Sequence, residues 1–159
     1  MTDSVAKDEL CTSERRAKHI RIVIADDLPE MLDVIEQRLA AEYVIVGRAT
    51  DGFALVESVR SLQPDVVVTD ISMPRLSGIE ALRRLRSLGV RTPAVILTIH
   101  EDEDLAREAL RLGALGFVLK SRLEDDLRVA IAEAVAGRRF VSERLRQKLE
   151  ASAAQENLE

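Results

Sequence analysis

Five polar residues stand where phosphoryl chemistry is easiest to assemble: Asp26 and Asp27 after "IRIVIA", Asp70 after "VVVT", Thr98 closing "PAVILT", and Lys120 after "ALGFVL". Carboxylates crowded into one volume raise one another's pKa unless a cation sits among them. A hard, oxygen-liganded ion such as Mg²⁺ relieves that repulsion, needs few protein ligands and keeps positions open for water or phosphate. Lys120 adds a mobile positive charge, and the Thr98 hydroxyl can donate to an anionic oxygen. Brought together, the five describe a phosphoryl site with an aspartate nucleophile. Singly, each has a plainer use. Asp26 or Asp27 can cap a helix, Asp70 a turn, Thr98 can fill a strand, and Lys120 can be a solvated lysine. Convergence is therefore what the fold must supply.

The elements that position them are written in the apolar pattern. The runs "IRIVIA", "YVIVGRA", "DVVVT", "PAVILT" and "ALGFVL" read as five strands, at least three of them apolar on both faces, as in a parallel sheet covered by helices on each side. Between them Leu32, Ile35 and Leu39 share one helical face, and Leu105, Ala109 and Leu112 share another. Ser77 with Glu80, and Ser121 with Glu124, match capping boxes; Gly89 and Gly137 stand where helices end; Pro29 suits a first turn. The alternation predicts an α/β fold, a doubly wound, flavodoxin-like three-layer domain over 20–137. Its sheet is parallel and five-stranded, with order 2-1-3-4-5. In such sheets ligands bind beyond the carboxyl ends of the strands, at the point where strand order reverses. That order makes the first and third strands neighbours, so Asp26, Asp27 and Asp70 converge. Pro74, Ser77 and Gly78 then turn the chain close beside the ion site.

Composition narrows the function classes. Of 159 residues, 47% are hydrophobic and 32% charged, the balance of an ordinary globular domain. The net charge of -5 argues against a surface that holds nucleic acid backbone. Cys11 is the only cysteine, which excludes an internal disulfide. No apolar run reaches the length of a membrane span, and the first nineteen residues lack the apolar stretch of a secretory signal, so a cytoplasmic location is expected. His19 and His100 read as surface residues, and the acidic "HEDED" as a solvated first turn favoured by the helix dipole.

The set "ADD", "TDISMP", "ILT" and "GFVLK" resembles the receiver domain of two-component response regulators, over about Ile20 to Gly137. The resemblance implies that Asp70 accepts a phosphoryl group from a histidine kinase. It also implies that Asp26, Asp27, Asp70 and the Ser72 backbone carbonyl hold Mg²⁺, and that Thr98 and Lys120 contact the phosphoryl oxygens. Thr98 and Phe117 would form the conformational switch, with Phe where many relatives carry Tyr, and Ser72 and His100 would flank the site and tune its lifetime. The response face would run from Asp102 to Ala136. Residues 1–19 read as an extension and 138–159 as a linker helix and tail, in which Ser142 caps a helix bearing Leu145 and Leu149. That segment resembles the linker of the NarL/LuxR-type subgroup, whose output is a helix-turn-helix domain. Its length cannot form such a domain, so DNA binding is expected only through an output domain outside this chain, unless the protein is a single-domain regulator acting through other proteins; the final Leu158-Glu159 fits a cloning remnant, which favours the first reading. A homodimer through helical faces is a further expectation. Two other readings stand beside this one: a receiver-like binding module that is not phosphorylated, and a haloacid dehalogenase-type phosphatase. The latter places its nucleophile after the first strand with a second aspartate two positions on, a pattern "ADDLPE" lacks.

Overall fold

The computed structural model describes residues 19–156, which leaves Cys11, nearly all of the N-terminal extension and Leu158-Glu159 outside the described residues. The elements run β1 (Arg21–Ala25), α1 (Pro29–Leu39), β2 (Val44–Ala49), α2 (Gly52–Leu62), β3 (Val66–Thr69), α3 (Gly78–Ser87), β4 (Ala94–Thr98) and α4 (Glu103–Arg111). They continue with β5 (Gly116–Leu119), a 3-10 turn over Lys120–Arg122, α5 (Leu123–Val135), β6 (Phe140–Val141) and α6 (Glu143–Glu156). Every ladder is parallel, and the sheet order is β2-β1-β3-β4-β5-β6.

The expected order 2-1-3-4-5 is therefore present, with one correction: a sixth strand extends the sheet beyond β5. Phe140 N–H donates to the Leu115 carbonyl at 2.7 Å and Ser142 N–H to the Phe117 carbonyl at 2.9 Å. Two residues are too few to display a period of two, so only the ladder reveals this strand.

Alternation along each strand sorts the core into two layers. Ile22, Ile24, Val66, Val68, Val95, Leu97 and Val118 face α1 and α5. Val23, Ala25, Val67, Ala94, Ile96 and Phe117 face α2, α3 and α4, where Leu145 of α6 joins them. Because helices cover both faces, β3, β4 and β5 are buried throughout, as their unbroken apolar runs predicted.

Local signals hold at most helix ends. Pro29 opens α1, and the Ser77 hydroxyl accepts from Glu80 N–H at 3.1 Å. Gly89 and Gly137 follow α3 and α5 with φ of 80° and 77°, a conformation that L side chains resist. The expected capping box at Ser121 and Glu124 does not form. The 3-10 turn delays α5 to Leu123, its N-cap position falls to Arg122 without a side-chain bond, and Glu124 pairs instead with Arg38.

The connection after β3 folds closely back on the end of its strand. Gly78 N–H bonds the Ile71 carbonyl at 2.8 Å, which folds 71–78 back beneath Asp70, and Arg75 takes a positive φ of 69° within it. A Cβ at position 78 would lie 1.9 Å from the Asp70 carbonyl oxygen, which is backbone and cannot rotate away. Gly78→Ala is expected to destabilise the chain by about 1–3 kcal/mol through overpacking. Thermal unfolding should show this, and an unchanged midpoint would mean that the turn relaxes freely.

Candidate functional site

Backbone pairing delivers the acidic residues to one place. Ala25 of β1 lies opposite Thr69 of β3, and the Asp70 N–H reaches back to the Ala25 carbonyl at 3.0 Å. Asp26 N–H in turn bonds the Ala49 carbonyl of β2 at 3.0 Å. The two aspartates therefore leave adjacent strands at the same height. Thr98 is opposite Leu119 in the β4–β5 ladder, which places Lys120 one residue beyond the same edge.

The side chains converge there. Oxygen atoms of Asp26, Asp27 and Asp70 all lie within 4.8 Å of one another. Asp26 is fully buried and Asp70 nearly so, at 6% exposure, while Asp27 faces solvent. Lys120 Nζ donates to Asp26 Oδ2 at 2.7 Å and to Asp70 Oδ2 at 3.2 Å. The remaining oxygens are partly used: Asp26 Oδ1 accepts from Leu28 N–H at 2.9 Å, and Asp70 Oδ1 from Ile71 N–H at 2.7 Å. The helix cap expected of a lone aspartate does not form: Leu28 takes the N-cap position of α1 without a side-chain bond, Asp26 Oδ1 closes a local turn onto the Leu28 amide, and Asp26 Oδ2 serves the cluster.

The charges respond to this crowding. Burial pushes the Asp70 carboxyl above its ordinary pKa, and the Asp26 charge adds to the rise; Lys120 opposes both without cancelling them. Burial alone would lower the Lys120 pKa, but the hydrogen bond to Asp26 and the charges of Asp70 and Asp26 outweigh it, and the ammonium is held above its usual value. The donor set suits a hard divalent cation: three carboxylates at mutual ligand distance, two of them shielded from water, with excess negative charge after Lys120 is counted.

Of the other expected site residues, Thr98 is fully buried, and its hydroxyl accepts from His100 N–H at 3.1 Å, engaging its own loop. Phe117 is fully buried within the face covered by α4 and α6. Ser72 and His100 are both exposed and meet at 3.5 Å between Oγ and Nε2. Two residues took roles that the linear pattern did not indicate. Ser142 does precede α6, but its buried hydroxyl turns inward: it accepts from Leu119 N–H at 3.1 Å and donates to Asp126 Oδ2 at 2.8 Å, and so does not cap the helix. Glu101, read as one of a solvated acidic run, is paired to Arg144 and Lys148 of α6.

A five-stranded core of parallel strands with an acidic cluster and a lysine at its carboxyl edge is the architecture of a phosphorelay receiver. The sequence model of the response regulator receiver domain matches residues 22–132, and the chain belongs to that family. It is 33% identical over 133 residues to the nitrate/nitrite response regulator NarL of Escherichia coli, covering 82% of this chain and 62% of that protein. It is 36% identical over 120 residues to the transcriptional regulatory protein YxjL of Bacillus subtilis, covering 74% of this chain and 55% of YxjL. The chain thus spans little more than half the length of these relatives. A LuxR-family two-component response regulator from Aurantimonas sp. superposes with a TM-score of 0.79 at 32% identity, over 87% of this chain and 98% of that one.

The raised Asp70 pKa has a consequence for stability. The folded chain holds that proton more tightly than the unfolded chain, so ionisation of Asp70 costs stability as pH rises through its titration range. With a chelator present at neutral pH, Asp70→Asn is expected to unfold at a higher temperature than the parent. The gap should close below the ordinary carboxylate range, where Asp70 is protonated in both states; an Asn variant that melts lower at neutral pH would contradict this.

Proposed function

We propose that this chain is the phosphoacceptor module of a cytoplasmic response regulator. Asp70 accepts a phosphoryl group from a histidine kinase, in a Mg²⁺-dependent step, and the product controls an output. The observation that carries the reading is the Lys120 ammonium bonded at once to Asp26 and Asp70 with the Asp27 carboxylate beside them.

An Asp70 carboxylate oxygen attacks phosphorus in line. The new O–P bond forms as the P–N bond of phosphohistidine breaks, and its electron pair stays on the imidazole nitrogen. Lys120 moves little to meet an anionic oxygen on Asp70, since it already touches that carboxylate. The Asp70 backbone is pinned to Ala25, which fixes the line of attack. Asp26, Asp27, Asp70 and the Ser72 carbonyl would hold Mg²⁺, which would supply neutralisation of charge on the transferred group. Thr98 donates its hydroxyl to a phosphoryl oxygen, and Phe117 repacks into the space it leaves. The exposed Ser72 and His100 side chains border the path of the water that hydrolyses the acyl phosphate.

The output is transcriptional in the manner of the regulatory relatives, through a DNA-binding domain outside this chain. A second copy is expected on the layer formed by α1 and α5, where Val34, Val129 and Val135 are exposed at 40%, 46% and 42%. No helix among the described residues is long and apolar enough to cross a membrane.

Incubation with a small phosphodonor and Mg²⁺ should label the parent on Asp70. Asp70→Asn is expected to abolish the label, and Lys120→Ala to slow its appearance by about tenfold or more, in line with removal of a transition-state charge partner. Labelling that persists in Asp70→Asn would overturn the assignment, and a chain that folds but takes no label would favour the unphosphorylated binding module. Paired substitution of Ser72 and His100 should change the decay rate of the acyl phosphate, and an unaltered rate would remove their tuning role.

A further inference from the structure

The loop that carries Thr98 is tied to the C-terminal helix. Only Ile99 and His100 separate Thr98 from Glu101; Ile99 is 71% exposed, and on the core side the segment is held by the His100 amide on the buried Thr98 hydroxyl. Glu101 is held from the other side. Arg144 Nε meets its Oε1 at 3.0 Å and Lys148 Nζ its Oε2 at 2.7 Å, one cation of α6 on each oxygen. Arg144 and Lys148 are four residues apart and share a helical face. Next to them Leu145 is fully buried and Leu149 partly buried, in the cluster that contains Phe117, Ala106 and Ala109. Arg107 of α4 adds a hydrogen bond to Ser152. At the start of the helix the buried Ser142 hydroxyl binds Leu119 N–H, one residue before Lys120. Helix α6 therefore lies on the response face and touches the chain beside both Thr98 and Lys120.

We infer that α6 is a latch on the unphosphorylated arrangement: Glu101, gripped by Arg144 and Lys148, holds the Thr98 loop away from Asp70, so that α6 docking and occupation of the phosphoryl position oppose each other. This rests on Asp70 being the phosphoacceptor. In the docked arrangement the Thr98 hydroxyl serves the His100 amide. Its transfer to an oxygen on Asp70 draws the short loop toward the site and stretches both Glu101 pairs. Each pair is partly solvated and individually weak, which makes the latch reversible. Coupling of this kind is reciprocal: a group bound at Asp70 loosens α6, and a loosened α6 raises affinity for that group by the same factor.

Beryllofluoride with Mg²⁺ serves as the probe, in a titration of the whole chain followed by amide hydrogen exchange. Glu101→Gln is expected to raise exchange across α6 in the free protein and to tighten beryllofluoride binding about threefold to tenfold, the range two weak pairs can supply. In the parent, saturation with the probe should raise α6 exchange in the same segment. A charge swap, Glu101→Lys with Arg144→Glu and Lys148→Glu, should restore both protection and parent affinity, which a residue with a purely structural role would not do. An α6 that loosens in Glu101→Gln while beryllofluoride affinity stays unchanged overturns the latch and leaves the phosphoacceptor reading intact. A parent chain that binds no beryllofluoride overturns both.

Discussion

The structure depends on a concentration of like charge that the fold creates and only partly relieves. Asp26 and Asp70 leave neighbouring strands at one height because β1 and β3 pair in register, with the Asp70 amide bonded to the Ala25 carbonyl. Two buried carboxylates and a third beside them would be costly in a low-dielectric setting. Lys120 offsets part of this from the end of β5, two strands from β3 and three from β1, and its raised pKa records the field it sits in. What remains is a net negative pocket of oxygen ligands, a donor set that suits a hard divalent cation.

Thr98 and Phe117 belong to adjacent strands, the first at the sheet edge and the second on the face beneath α4 and α6. A group bound at Asp70 can alter behaviour only by favouring one arrangement of these residues over another. In this chain Leu145 and Ser152 of α6 engage the α4 and β5 layer, while Arg144 and Lys148 hold Glu101 just before α4. The anchor at Ser142 differs in kind from the Glu101 pairs. It is buried and fully hydrogen-bonded between Leu119 and Asp126, so it resists opening, while the pairs at the rim are exposed to water and salt.

Much of this was legible in the linear chain because local patterns and global architecture agree. The apolar runs, the Ser77 cap, Pro29 and the glycines after α3 and α5 each predicted an element that is present. The misplaced features share a cause. Strand β6 is shorter than one detectable period, and the Ser121 cap was displaced when the chain tightened into a 3-10 turn after Lys120. Ser142 and Glu101 have ordinary local readings, as a helix cap and as a solvated acid, and each was redirected by a partner distant in the chain.

By itself the sequence determined which residues end strands, and hence that Asp26, Asp70, Thr98 and Lys120 share one edge of a doubly wound sheet. This follows because side-chain period and strand termination are properties of short segments. Only the tertiary structure decided that Lys120 bridges Asp26 and Asp70, that Thr98 rests on the His100 amide, and that α6 closes over α4 with Glu101 held between two cations. Those facts depend on distances between segments as much as 94 residues apart, and packing of whole layers, which no local window contains, sets them.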